Sequence, residues 1–141
     1  MPVLARNKKA FHDYFIEDKL EAGIELVGTE VKSVKAGKVS IKESFIRIIR
    51  DEVFVMNMHI TPYEFGNINN VAESRVRKLL LNRREIKKWS EKIKEQGYTI
   101  VPISVYTKQR LVKMEIGLAK GKKMHDKRES LKRKDINRDM K

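Results

Sequence analysis

Apolar and polar residues alternate in steps of two along much of this chain, the period of strands with one face packed and the other in water. Phe54, Met56, Met58 and Ile60 fall on one side of a run whose other side includes Asn57 and His59. Val112, Met114, Ile116 and Leu118 repeat the pattern against Lys113, Glu115 and Gly117. Between Thr99 and Tyr106, Val101, Ile103 and Val105 share a side; Pro102 on the other predicts an edge strand or a bulge, because proline cannot donate to a ladder. The segment from Phe45 to Ile49 is expected to pair with the 53–60 run across a turn at Asp51 and Glu52, and Tyr14 to Ile16 and Ile24 to Leu26 supply two more short strands.

Two stretches switch to a helical period. Asn82 with Glu85 three residues on is a capping-box arrangement, Ile86, Trp89 and Ile93 follow at helical spacing, and Gly97 supplies a left-handed stop, which predicts a helix over 83–95. A shorter helix is expected from Thr29 as N-cap to Gly37 as stop, with Val31 and Val34 inward. The stretch from Pro62 to Ser74 has turn chemistry and weak periodicity, so it is expected to be a long loop. Five or six short strands plus a few helices predict a mainly β fold: an OB-fold-like antiparallel β-barrel, in which closure removes exposed sheet edges.

Charge changes the picture. The 141 residues carry 32 Lys+Arg against 19 Asp+Glu, a formal net charge of +13, the electrostatic footprint of a phosphate-rich partner. From Ala119 to Lys141 ten Lys/Arg stand against four Asp/Glu, +6 in 23 residues. That segment has few large apolar residues to offset ordering entropy, so a single barrel domain at 1–119 and a basic tail at 120–141, disordered when free, are expected. No apolar run approaches the roughly 20 residues that span a bilayer, and the N-terminus lacks the apolar stretch of about 7 to 15 residues of a signal peptide. With no cysteine in the chain, disulfide scaffolds and the commonest zinc sites are excluded, and a reducing cytoplasm fits.

The motifs argue against catalysis. In GLAKGKK three residues separate Gly117 from Gly121 and Lys123 follows Lys122, whereas a phosphate-binding P-loop needs four residues and a Ser/Thr after its lysine. His12, His59 and His125 lack metal-ligand spacing, and no catalytic residue, metal or cofactor is expected. In RVRKLLLNRRE, Arg75, Arg77 and Lys78 precede the leucines and Arg83 and Arg84 follow Asn82, clustering cations at a strand-to-helix corner. Aromatic platforms beside cations hold unstacked bases; Tyr63 and Phe65 are candidates, while Phe54 and Trp89 are expected in the core.

The blocks NKKAFHDYFIEDKLEAGIELVGTEVKSVKAGK (7–38), ITP (60–62), RKLLLNRREI (77–86), GYTIVPISVY (97–106) and GLAKGKKMHDKR (117–128) resemble, in order, the SsrA-binding protein (small protein B) family, partners of transfer-messenger RNA (tmRNA) in bacterial rescue of stalled ribosomes. The resemblance implies an OB-like barrel that binds the tRNA-like domain of tmRNA without catalysis. It places Glu21, Leu80 and Asn82 on the RNA, with His12 near the same surface. Asn7 and Lys8, in the first block, and Arg75, Arg77 and Lys78 complete the expected contact set. It also implies a ribosome-facing tail: Lys122, Lys123 and His125, then Asp126, Lys127 and Arg128 near the decoding centre, then Lys132, Arg133 and Lys134 in an empty mRNA channel. His125 stands where many relatives carry tyrosine.

The expected protein is thus a cytoplasmic, monomeric adaptor with tmRNA and the ribosome as partners and no membrane contact. Two rivals stand beside it. A generic single-strand-binding module would follow from charge and fold alone, and an RNA-cleaving enzyme would have to use His12 or His125.

Overall fold

The computed structural model describes residues 3–62 and 72–122. Along them run β1 (Val3–Arg6), α1 (Lys9–Asp13), β2 (Tyr14–Ile24), α2 (Gly28–Lys35), β3 (Val39–Ser40), β4 (Phe45–Ile49), β5 (Glu52–Met56), β6 (His59–Ile60), β7 (Arg77–Leu80), α3 (Arg83–Gln96), β8 (Thr99–Lys108) and β9 (Leu111–Gly121). Seven strands form one antiparallel sheet in the order β1-β8-β9-β2-β7-β5-β4, and β3 pairs with β6 in a small separate ribbon. The mainly β fold with accompanying helices is therefore as expected. The sheet curls until Ile46, Arg47 and Ile48 of β4 share a cavity of about 490 Å³ with Thr99 and Ile100 of β8. Among the described residues no hydrogen-bonded ladder joins those two strands.

The core lies inside the curl. Ala22, Val53, Val55, Leu79, Val105, Met114, Ile116 and Leu118 are buried there, and Trp89 of α3 covers them at 2% exposure. Burying an aliphatic or aromatic side chain of this size is worth about 1.5–3 kcal/mol, which makes this set the main driving force for folding. Asn82 caps α3 as expected: its Oδ1 accepts from the Glu85 amide at 2.9 Å, Glu85 reaches back to the Asn82 amide at 3.3 Å, and Gly97 takes the left-handed φ of 73°. Asn82→Ala is expected to lower stability by about 1 kcal/mol while Asn82→Asp, which keeps the acceptor, costs far less. Urea midpoints of the two variants check this.

Five local expectations are corrected. The two short strands at 14–16 and 24–26 are one eleven-residue strand, β2, because the charged stretch between them alternates with inward Leu20 and Ala22, and inward Asp18 accepts from Trp89 Nε1 at 3.4 Å. The N-cap of α2 is Val27 rather than Thr29, and its amide is taken by the Glu30 carboxylate at 3.0 Å. At the other end Gly37 and Lys38 close a Schellman motif onto Val34 and Ser33, so the expected stop at Gly37 stands. The β4–β5 turn is Arg50–Asp51, one residue earlier than expected, with both residues left-handed (φ 52° and 65°). Gln109–Arg110 joins β8 to β9 the same way, the backbone twist that two-residue hairpins favour.

Finally, two runs change phase where the backbone is irregular. Asn57 is left-handed (φ 56°), so the buried positions are Val53 and Val55 before it and Met58 and Ile60 after it. Phe54, expected in the core, therefore lies on the opposite side of β5, half-buried. In β8 a bulge between Pro102 and Ser104 puts Val101 and Ile103 in a second small cluster with Ala10 and Ala119, while Val105 stays in the main core. Of the edge or bulge expected at Pro102, the bulge is the one present. The strand is buried on both faces because α1 covers the outer one, and each face joins its own apolar cluster.

Candidate nucleic-acid interface

Residues directly opposite one another in an antiparallel pair point to the same side. Glu21 faces Glu115, Gly23 faces Lys113 across one ladder and Leu80 across the other, and Lys113 faces Tyr106. One outer face therefore carries, across β8, β9, β2 and β7, Tyr106, Lys113, Glu115, Lys19, Glu21 and Leu80. Leu80 is 48% exposed and packs over Gly23, where an added Cβ would meet its side chain at 3.4 Å. Asn82 follows two residues later at the corner into α3. Of the three residues that the sequence resemblance assigned to RNA, sheet register thus brings Glu21 and Leu80 to one face, and Asn82 is exposed just beyond it.

Glu21 is held in place. Tyr106 donates its hydroxyl to Glu21 Oε2 at 2.5 Å, and Lys108 Nζ lies 3.5 Å from Oε1. The Tyr106 hydrogen bond, helped by Lys108 and Lys113, keeps the Glu21 carboxyl below its ordinary range against a modest opposing effect of burial. Burial and the same hydrogen bond push the Tyr106 phenol well up, so it donates throughout the accessible pH range. A carboxylate fixed by a neutral donor on a basic face can accept from base amino groups or ribose hydroxyls. Asn82 combines two roles without conflict. Its Oδ1 is used by the cap, its Nδ2 has no partner among the described residues, and the residue is exposed.

The other candidates differ in what they can offer. His12 is open to solvent, with Nδ1 2.7 Å from Asp13 Oδ1, and Lys8 is exposed beside it. Asn7 is tied inward, donating Nδ2 to the Pro102 carbonyl at 2.9 Å and accepting from the Lys9 amide at 3.2 Å. Lys78 bonds Glu52 at 3.0 Å on the outer face of β7. Arg77 departs most from the expected outward role. It is fully enclosed, and its guanidinium bonds Glu30 Oε2 and the carbonyls of Met58, Arg75 and Glu73. Arg75 also bonds Glu30, at 2.7 Å. Both arginines bind the same buried carboxylate because they flank the start of β7, whose odd positions point inward. Burial alone would raise the Glu30 carboxyl, but Arg75, Arg77 and the Val27 amide outweigh it and hold the group below its ordinary value.

Of the tail, Lys122 lies within the described residues: its Nζ donates to the Phe11 carbonyl at 3.0 Å and sits 4.9 Å from the Phe15 ring centre. β9 runs on to Gly121, paired with Tyr14, two residues past the expected boundary. Lys123, His125, Asp126, Lys127, Arg128, Lys132, Arg133 and Lys134 lie outside the described residues, as do Tyr63 and Phe65. Two features escaped the sequence reading. Arg83, Arg84 and Lys87 surround a cleft of about 600 Å³ beside Asp51, of which only the arginines were anticipated. Arg6, Phe11 and Lys19 rim a groove built by β1 and α1, neither of which carries a strong periodic signal.

A curled antiparallel sheet that gathers cations, a half-exposed leucine and a free cap amide on one face defines a small basic β protein built to present a nucleic-acid-binding surface. The chain belongs to the SmpB family: the family described as SmpB protein matches residues 4–141. It is 63% identical over 139 residues to the SsrA-binding protein of Fusobacterium nucleatum subsp. nucleatum, covering 99% of this chain and 94% of that one. With the SsrA-binding protein of Caldanaerobacter subterraneus subsp. tengcongensis it is 57% identical, covering 98% and 87%. Among solved structures, a chain described under "tmRNA-SmpB: a journey to the center of the bacterial ribosome" superimposes with a TM-score of 0.73 at 44% identity, covering 98% of this chain and 96% of that one.

Proposed function

We propose that this protein is an RNA-binding adaptor that grips the tRNA-like domain of tmRNA and delivers it to stalled ribosomes in trans-translation. The observation that carries the reading is Glu21 and Leu80 on one outer face, with exposed Asn82 two residues beyond Leu80, in a chain of this family. The face offers a fixed acceptor, an apolar contact and a free amide, the mixture that reads shaped RNA rather than phosphate alone. His12 and Lys8 extend this surface, and residues 123–141 serve as the ribosome-facing segment near the decoding centre and in the empty mRNA channel. The adaptor works in the cytoplasm, as a monomer and without catalysis. His12 stands on an open surface beside Asp13, and among the described residues no helix is long and apolar enough to cross a membrane.

Competition tests the reading. Labelled tRNA-like domain is expected to resist displacement by unstructured RNA and to keep a large part of its affinity as salt rises. A generic cationic binder would be displaced readily, and its log affinity would fall steeply and linearly with log salt. Ready displacement at moderate salt would sink the adaptor reading.

A further inference from the structure

The groove beside Glu21 has a charge order that a plain phosphate site would not have. Its volume is about 550 Å³, within the roughly 300–1,000 Å³ of small-ligand sites. Along the sheet's outer face Arg6 of β1 faces Ser104 of β8, which faces Glu115 of β9, and Lys8 follows Arg6 on the way into α1. Phe11 of α1 also lines the groove. Its neighbour Ala10 is fully buried and anchors α1, yet the Phe11 ring is 50% exposed, with Lys19 Nζ 5.1 Å from its centre. A bare aromatic ringed by cations is the composition of a single-strand stacking platform.

We propose that this groove holds one unstacked nucleotide of the RNA partner, with its base stacked on Phe11 and pointing toward Glu115 and its phosphate held by Arg6 and Lys8. The inference rests on the RNA-binding reading above and adds a subsite to it. Glu115 faces Glu21 directly across the β2–β9 ladder, so the β9 side of the groove repels phosphate while the β1 side, with Arg6 and Lys8, attracts it. That order orients a nucleotide with its base toward β9 and its phosphate toward β1. A carboxylate accepts from exocyclic amino groups, so adenine, guanine or cytosine is favoured over uracil. Lys19, displaced from the ring as the base slides in, is left close to the backbone phosphate.

The test uses the full chain and the tRNA-like domain of tmRNA over a series of salt concentrations. Phe11→Leu is expected to weaken binding roughly 5- to 150-fold, the cost of one lost stack, with the salt slope unchanged because no phosphate contact is removed. Phe11→Tyr is expected to bind within twofold of the parent. Glu115→Gln is expected to weaken binding although it removes a charge that repels RNA. The proposal is overturned if Phe11→Leu binds within twofold, if Phe11→Tyr loses as much as Phe11→Leu, or if Glu115→Gln tightens binding and steepens the salt slope. Thermal midpoints equal to the parent's exclude misfolding, since the ring is half exposed. A parent chain that fails to prefer tmRNA would contradict the adaptor reading separately, and the Phe11 effect would then be scored on whichever RNA it binds.

Discussion

Replacing Glu30 by alanine is expected to cost the fold about 3–5 kcal/mol, the usual penalty for stranding a buried charge. Its carboxylate is 3% exposed and neutralises Arg77, which is fully enclosed, as well as the partly exposed Arg75. Truncation leaves Arg77 charged inside the protein with only carbonyls for company, and also removes the acceptor that caps α2. The thermal midpoint is expected to fall by on the order of 10–20 °C for a domain of this size. The double variant Glu30→Leu, Arg77→Met is expected to lose less than Glu30→Ala alone, because no unpaired charge remains; a larger loss would contradict the ion-pair account. The pH dependence has a definite sign. The Glu30 carboxyl is held below its ordinary value, so its stabilisation is fully present above the ordinary carboxylate range and is lost as pH falls through the lowered folded value. Glu30→Ala is expected to flatten that part of the acid limb in a denaturation series from pH 7 to pH 3.

Removing residues 123–141 is expected to abolish tagging of stalled chains while leaving affinity for the tRNA-like domain within about threefold at moderate salt. The cut falls after Lys122 because β9 continues to Gly121 and Lys122 is bonded to Phe11. A cut after Lys120 would unpick the end of that strand and confuse folding with function. The removed segment carries eight Lys/Arg against four Asp/Glu, so the body keeps most of the +13. Filter binding and a tagging assay on the same preparation separate the two activities. If both fell together, the assignment of RNA grip to the body and ribosome engagement to the tail would be wrong.

The parts of the fold legible in the sequence were those where a local rule acts alone. α3 announced itself because cap, period and stop all agree over Asn82–Gly97. β9 did so because its alternation is unbroken up to Leu118. Where two influences compete, the pattern misled about faces. β8 is buried on both faces, one by the core and one by α1, so Val101 and Ile103 part from Val105, and the left-handed Asn57 reversed the inward face within a single apolar run. The site shows the same division. Charge singled out Arg75 and Arg77 as surface cations, and no local signal says that a glutamate 45 and 47 residues earlier is buried against them. Glu21 was invisible to charge reasoning and visible to family resemblance. Its Tyr106 partner, 85 residues away, could be found only once the strands were paired.

The β2–β9 ladder has one further consequence. Tyr14 pairs with Gly121 at the root of the tail, and Glu21 sits seven positions along the same strand. At about 3.3 Å per residue the two points stand roughly 20 Å apart, and antiparallel pairing on both sides of a single bulge between Ile16 and Asp18 makes that separation a fixed length. The strand pair therefore acts as a gauge block between the RNA grip and the start of the tail. Adding two residues to each strand would preserve which side chains face outward while moving one end from the other by roughly 7 Å.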